Sequence, residues 1–275
     1  MTTPQINVVE DNENGIYYRE WQVNSPKAII LLVHGVAEHC QRYEAIASAL
    51  NDAGYTLSAL DLPNHGRSKG IKGHIDPDSF FQEAVLGLYK RVQKVYSDTP
   101  IFILGHSMGG LITSRFLIDH QEKFKGAILS GPAIEVFQEP PAWQVSLIKG
   151  IAKLFPTLGL GPVDGSMVSR GPKVVDAYNN DPLVGKNKLS AKLLVGFDTS
   201  MAEVKQQAQV INLPLLIMHG AADKLTMPSG SQWLYEQVAS EDKTLKLYEG
   251  LYHEIFNEPE APSIYQEVIE WLDKH

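Results

Sequence analysis

The chain has 275 residues, of which 44% are hydrophobic and 20% charged, and its formal net charge is −8. That length can bury a substantial core, while the acidic balance argues against a nucleic-acid binder, which needs a basic face, and against electrostatic docking on an anionic membrane. Cys40 stands alone, so no intrachain disulfide can form; the lone thiol fits a reducing compartment and, without an activating context, reads as passive.

The opening stretch MTTPQINVVEDNENGIYYREW is polar and acidic, unlike a signal peptide. No run approaches the roughly 18 apolar residues of a membrane span. The expected location is therefore cytoplasmic, with any membrane contact peripheral. GIYYREWQV (15–23) alternates as an exposed or edge strand does. AIILLVHG (28–35) is a continuous apolar run, as in a strand covered on both faces. RYEAIASALNDAG (42–54) places Tyr43, Ile46, Ala47 and Leu50 on one helical face and stops at Gly54. YTLSALDLP (55–63) reads as a strand, and SFFQEAVLGLYKRVQKVY (79–96) as a long helix with Ser79 at its N-cap. PIFILGH (100–106) is a buried strand, MGGLITSRFLIDH (108–120) a helix and GAILSG (126–131) a strand.

The alternation then stops. Residues 132–210 are punctuated by Pro and Gly and mostly helical. Strand LPLLIMHG (213–220), helix GSQWLYEQVAS (230–240), strand TLKLYEG (244–250) and helix SIYQEVIEWLDKH (263–275) follow. Alternating strands and helices imply an α/β fold with a mostly parallel central sheet and helices on both faces. The interruption reads as an insertion between a sixth and a seventh strand, so that 1–131 and 211–275 form the core and 132–210 a cap.

Two stretches match G-x-S-x-G: GHSMG around Ser107 and GRSKG around Ser68. A serine hydroxyl is a weak nucleophile at neutral pH and needs a base and an oxyanion site. The pattern supplies an exposed, strained serine when it turns a buried strand sharply into a helix. Ser107 has those flanks. Ser68 lies between DLPNH and IKGHIDPD, a loop-like context, and reads as a loop serine. The acid and the histidine should follow in that order. Asp223 stands just beyond LPLLIMHG, at the carboxyl edge of the sheet where such folds place their sites, and His253 just beyond TLKLYEG. Among the other histidines, His219 sits within or at the end of its strand, His106 adjoins Ser107 but points elsewhere, and His275 frays at the terminus. His34 and His39 form no metal pattern, and no metal ligand set is assigned. The oxyanion donors expected are the backbone N–H groups of Met108, after the nucleophile, and Val36, in the loop after the strand at 28–35.

These motifs converge on a resemblance that runs almost end to end. The chain resembles the monoacylglycerol lipases of the α/β-hydrolase superfamily, through HGVAEHCQRYEAIASAL, DLPNHGRSKG, LGHSMGG, GPVDGSMVSR, YNNDPLV, ADKLTMPSG and DKTLKLYEGLYHEIFNE. The resemblance implies Ser107 as nucleophile, His253 as base, Asp223 as its orienter, and Val36 and Met108 as oxyanion donors. It also implies that Glu38 and Arg42 shape the polar, glycerol end of the pocket; residue types alone would allow a surface pair four apart. The family's cap cysteines are absent from DPLVGK and ADKLTMPSG, so thiol-dependent regulation is not carried over.

Within the insertion, PPAWQVSLIKGIAKLFP (140–156) sets Trp143, Leu147, Ile151, Leu154 and Phe155 near one helical face. Leu147 and Ile151 are expected to contact the acyl chain, and the cap to touch lipid surfaces transiently. The expected activity is hydrolysis of a small lipid ester, a monoacylglycerol, through an acyl-enzyme and without a cofactor. A lysophospholipase, a broader carboxylesterase, and an acyltransferase using the same acyl-enzyme remain alternatives. A non-catalytic binder would lack one of Ser107, Asp223 and His253, and a haloalkane dehalogenase would need Asp in place of Ser107.

Overall fold

The structure, a computed structural model, describes residues 7–74, 80–137, 141–161, 163–185 and 189–275. Strand β1 (Asn7–Glu13) forms a hairpin with β2 (Ile16–Gln22). There follow β3 (Ile29–Val33), α1 (Glu44–Asp52), β4 (Thr56–Leu60), α2 (Phe80–Val95), β5 (Ile101–His106), α3 (Met108–His120) and β6 (Ala127–Ser130). Helix α4 (Ala142–Leu154), β7 (Gly159–Gly161), α5 (Pro172–Asn180), β8 (Leu189–Ser190) and α6 (Ala191–Gln207) come next. The chain closes with β9 (Leu215–Gly220), α7 (Pro228–Gln237), β10 (Lys243–Tyr248) and α8 (Ala261–Leu272). The Ser79 cap lies outside the described residues.

The main sheet has the order β1-β2-β4-β3-β5-β6-β9-β10. β1 and β2 pair antiparallel, as do β2 and β4, and every other neighbour pair is parallel. β7 and β8 form a separate small ribbon. This is the α/β-hydrolase architecture, with α4, α5 and α6 between the sheet's sixth strand, β6, and its seventh, β9.

Residue alternation splits the core in two. Ile29, Leu31 and Val33 of β3 pack toward α2, α3 and α7, through Val85, Leu88, Phe116 and Leu234. Ile30 and Leu32 pack the other way, toward Ile46 and Leu50 of α1 and Val268 and Trp271 of α8. All five β3 residues are buried, which is why the run lacks a polar face.

The strand read as an edge is interior. β2 alternates half-buried and buried residues, but it pairs with β4 on one side and β1 on the other. The true edge is β1, whose sequence NVVEDNE is almost wholly exposed. Its acidic side chains suit an edge that must not recruit further strands. His275 does not fray: its Nε2 lies 2.9 Å from Asp242 Oδ2 and its ring stacks on Trp271.

Candidate active site

The turn from β5 into α3 holds Ser107 at φ 55°, ψ −119°, a left-handed conformation that costs a non-glycine residue energy. The flanking sequence allows it. A Cβ at Gly109 would lie 2.0 Å from the carbonyl oxygen of Val33, so only glycine lets the turn pack against β3. A Cβ at Gly35 would lie 3.1 Å from Cβ of Ser107, which shows how close the loop after β3 comes to this turn. Val36 follows in that loop and lines the same cavity as Ser107. Met108 opens α3, and the first amide of a helix has no intrahelical acceptor.

Asp223 and His253 come together from loops beyond β9 and β10. His253 Nδ1 lies 2.6 Å from Asp223 Oδ2. Both residues are buried. The carboxylate is heavily donated to. The N–H groups of Leu225 and Thr226 reach Oδ1 at 2.7 and 3.1 Å, and the Thr226 hydroxyl reaches Oδ2 at 2.9 Å. His219 Nε2 also meets Oδ2, at 3.0 Å, while its Nδ1 lies 2.7 Å from the Ser231 hydroxyl. His219, read as a strand residue, is thus a second histidine on the same acid. Burial opposes the charge on Asp223, but His253 and His219 override it and hold the carboxyl far below its usual range. Burial likewise opposes a proton on His253, yet the Asp223 charge and hydrogen bond raise its pKa above the ordinary histidine value.

Ser107 and His253 line one cavity of about 710 Å³. Its apolar wall includes Val145 and Ile148 of α4, Leu194, Phe197 and Met201 of α6, and Leu225. Leu147 and Ile151, expected to contact the acyl chain, are not among the residues that line this cavity. α4 is apolar on more than one side. Val145, Ile148 and Ala152 turn inward, whereas Trp143, Leu147 and Leu154 are 66%, 56% and 75% exposed. Apolar periodicity marked a real face, but the outer one.

Glu38 lines the cavity too, and it is no surface acid. Its side chain is 4% exposed, and its Oε1 accepts from the Gly35 N–H at 2.6 Å and the Tyr43 hydroxyl at 2.8 Å. Burial works to raise its carboxyl, but Arg42 overrides it and the pKa falls to about 2. Arg42 donates to Glu38 at 2.8 Å and forks onto Glu254 at 2.6 and 2.7 Å. Glu254, which sequence reading passed over, lines the cavity beside His253. His106 also lines it, 4.8 Å ring to ring from His253, and burial pushes its pKa down to about 4.

Ser68 has a different task. It is buried, donates to the Asp61 carbonyl at 2.6 Å and accepts the Tyr17 N–H at 2.9 Å. Cys40 is buried and burial pushes its thiol well up, so it holds no thiolate near neutrality. Among the described residues, no group of three or more His, Cys, Asp or Glu side chains could hold a metal ion.

A family model described as Serine aminopeptidase, S33 (Hydrolase_4) matches residues 24–260. The chain is 38% identical to a monoacylglycerol lipase of Mycolicibacterium smegmatis, over 94% of this chain and 93% of that protein. The chain belongs to the monoacylglycerol lipase family of α/β-hydrolases. A human monoglyceride lipase is 34% identical over 99% of this chain and 93% of its own length. A crystal structure of Paleococcus ferrophilus monoacylglycerol lipase superposes with a TM-score of 0.86 at 32% identity, covering 94% of this chain and 99% of that one. Family membership therefore spans the sheet, the segment from α4 to α6 and the loops that carry Ser107, Asp223 and His253. Among the described residues, no helix is long and apolar enough to cross a membrane.

Proposed function

We propose that the protein is a serine esterase that hydrolyses monoacylglycerols to fatty acid and glycerol through an acyl-enzyme on Ser107. The observation that carries this reading is a strained serine sharing an apolar-walled cavity with His253, whose Nδ1 lies against the buried Asp223. His253 Nδ1–H donates to Asp223, which leaves Nε2 as the acceptor for the Ser107 proton. Ser107 Oγ attacks the ester carbonyl, and the oxyanion accepts from the Val36 and Met108 N–H groups. The imidazolium then protonates the departing alcohol oxygen as the ester C–O bond breaks. Water repeats the sequence: His253 takes its proton, its oxygen adds to the acyl carbon, and Ser107 leaves protonated with release of the acid.

Residues 132–210 act as a cap on a core of 1–131 and 211–275, with the inward row of α4 and α6 receiving the acyl chain. Glu38, held by Arg42, faces the glycerol end. The outward row, Trp143, Leu147 and Leu154, gives the cap an apolar surface suited to peripheral contact with lipid.

The test compares a monoacylglycerol, a diacylglycerol and a lysophosphatidylcholine of one acyl chain, with wild type and Ser107→Ala side by side. Fast release from the monoacylglycerol, reduced at least ~10⁴-fold in the variant, is expected. Equal release from the lysophospholipid would move the substrate class to lysolipids. Full activity in Ser107→Ala would overturn the mechanism.

A further inference from the structure

The polar end of the cavity carries a charge arrangement that the acyl-transfer steps do not require. Glu38 and Glu254 both line the cavity, with side chains only 4% and 5% exposed. One guanidinium serves both. Arg42 Nη1 donates to Glu38 Oε2 at 2.8 Å and to Glu254 Oε1 at 2.6 Å, and Nη2 donates to Glu254 Oε2 at 2.7 Å. Arg42 itself lines a neighbouring smaller cavity, with His39, Lys173 and Asp181. The ring of Tyr178, which lines the main cavity, covers the guanidinium at 4.8 Å. Asn257 Nδ2 donates to Glu254 Oε2 at 2.9 Å and adds a second anchor to that carboxylate.

Two carboxylates against one guanidinium leave this wall with a net charge of −1. Ionised carboxylates accept hydrogen bonds and donate none. A hydroxyl-bearing headgroup can donate to them. An anionic headgroup brings a like charge into a desolvated site and finds the guanidinium already engaged in a bidentate fork.

We propose that Glu254 is a specificity-determining residue: by occupying the fork of Arg42 it leaves the headgroup end lined with acceptors and selects neutral, hydroxyl-bearing headgroups over anionic ones. The proposal rests on the reading of this cavity as the site of a glycerol ester. It predicts that removing the Glu254 charge, which brings the wall to neutrality and loosens one side of the fork, admits phosphate-bearing substrates.

The experiment measures kcat/KM for a 1-monoacylglycerol and for the 1-acylglycerol 3-phosphate of the same acyl chain, with wild type and Glu254→Gln. Wild type should favour the neutral ester by at least ~100-fold, the scale of a like-charge penalty in a desolvated site, and the ratio should narrow ~10-fold in the variant. A wild-type preference below tenfold would overturn the proposal without any variant, so a Glu254→Gln protein that fails to fold leaves it open to refutation. An unchanged ratio in a folded variant, with both substrates slowed alike, is the signature of a packing role and overturns it as well. Failure of wild type on both glycerol esters, with 4-nitrophenyl butyrate still cleaved, would instead strike the substrate reading on which the proposal stands, and the proposal with it.

Discussion

His219 and His253 meet on the same oxygen of Asp223, at 3.0 and 2.6 Å. The carboxylate therefore divides its basicity between them. His219→Leu removes one donor from Oδ2 and leaves more negative charge for the His253 imidazolium. The pH at which kcat/KM reaches half its plateau is expected to rise in this variant. The Ser231 hydroxyl loses its partner at the same time, so the variant should also be less stable by about 1–3 kcal/mol. A pH–rate profile beside a thermal melt separates the two effects. An unmoved half-point would show that His219 only packs.

The Asp223–His253 pair makes stability depend on pH in two directions. Asp223 titrates below its ordinary range in the folded protein, so its contribution is present above the unfolded carboxyl value and lost as pH falls. His253 titrates above its ordinary range, so its contribution is present below the unfolded imidazole value and lost as pH rises through the folded one. The pair thus stabilises most between about pH 4 and 6.5. The difference in Tm between wild type and Asp223→Asn should be largest in that window and shrink on either side. A difference independent of pH would refute the linkage. In activity, Asp223→Asn should cost about 10⁴-fold in kcat, because the imidazole loses its tautomer control.

The three residues that carry the proposed chemistry were legible because chain order and strand ends constrain them together. A serine between a buried run and a helix, an acid after the next-to-last strand and a histidine after the last are independent conditions. His219 and Glu254 carried no such signal. His219 acts across a turn four residues long, which strand periodicity does not describe. Glu254 pairs with Arg42, 212 residues away, and no local pattern reports that contact. β1 carries no strand signal in its sequence because an exposed edge needs no apolar alternation, and without that neighbour β2 reads as an edge.

Ser68→Ala tests the second G-x-S-x-G stretch. The Tyr17 N–H loses its acceptor in a buried setting, which should cost about 1–3 kcal/mol of stability. Turnover of a soluble ester per folded molecule should be unchanged. Thermal melts with active-site titration check both. A large loss of turnover at full stability would return Ser68 to the list of nucleophiles.

The two sides of α4 predict opposite outcomes for neighbouring substitutions. Ile148→Asp places a charge in the cavity wall and should weaken long-chain hydrolysis at least ~10-fold, even for monomeric substrate. Leu147→Asp alters an exposed position and should leave monomeric short-chain turnover within twofold, while weakening binding to lipid vesicles. Vesicle sedimentation and assays below the critical micelle concentration distinguish the two. Equal loss for both variants on soluble substrate would show that the outer row packs on the body.

Because the inward and outward rows of α4 share a backbone but no side chains, one helix holds two separable design variables. Substitutions at 145 and 148 reshape the volume offered to a chain without altering how the enzyme presents itself to a surface. Substitutions at 143, 147 and 154 change solubility and partitioning while the chamber stays as it was. An engineer wanting a water-loving catalyst with native chain selectivity, or the reverse, can work on each row alone.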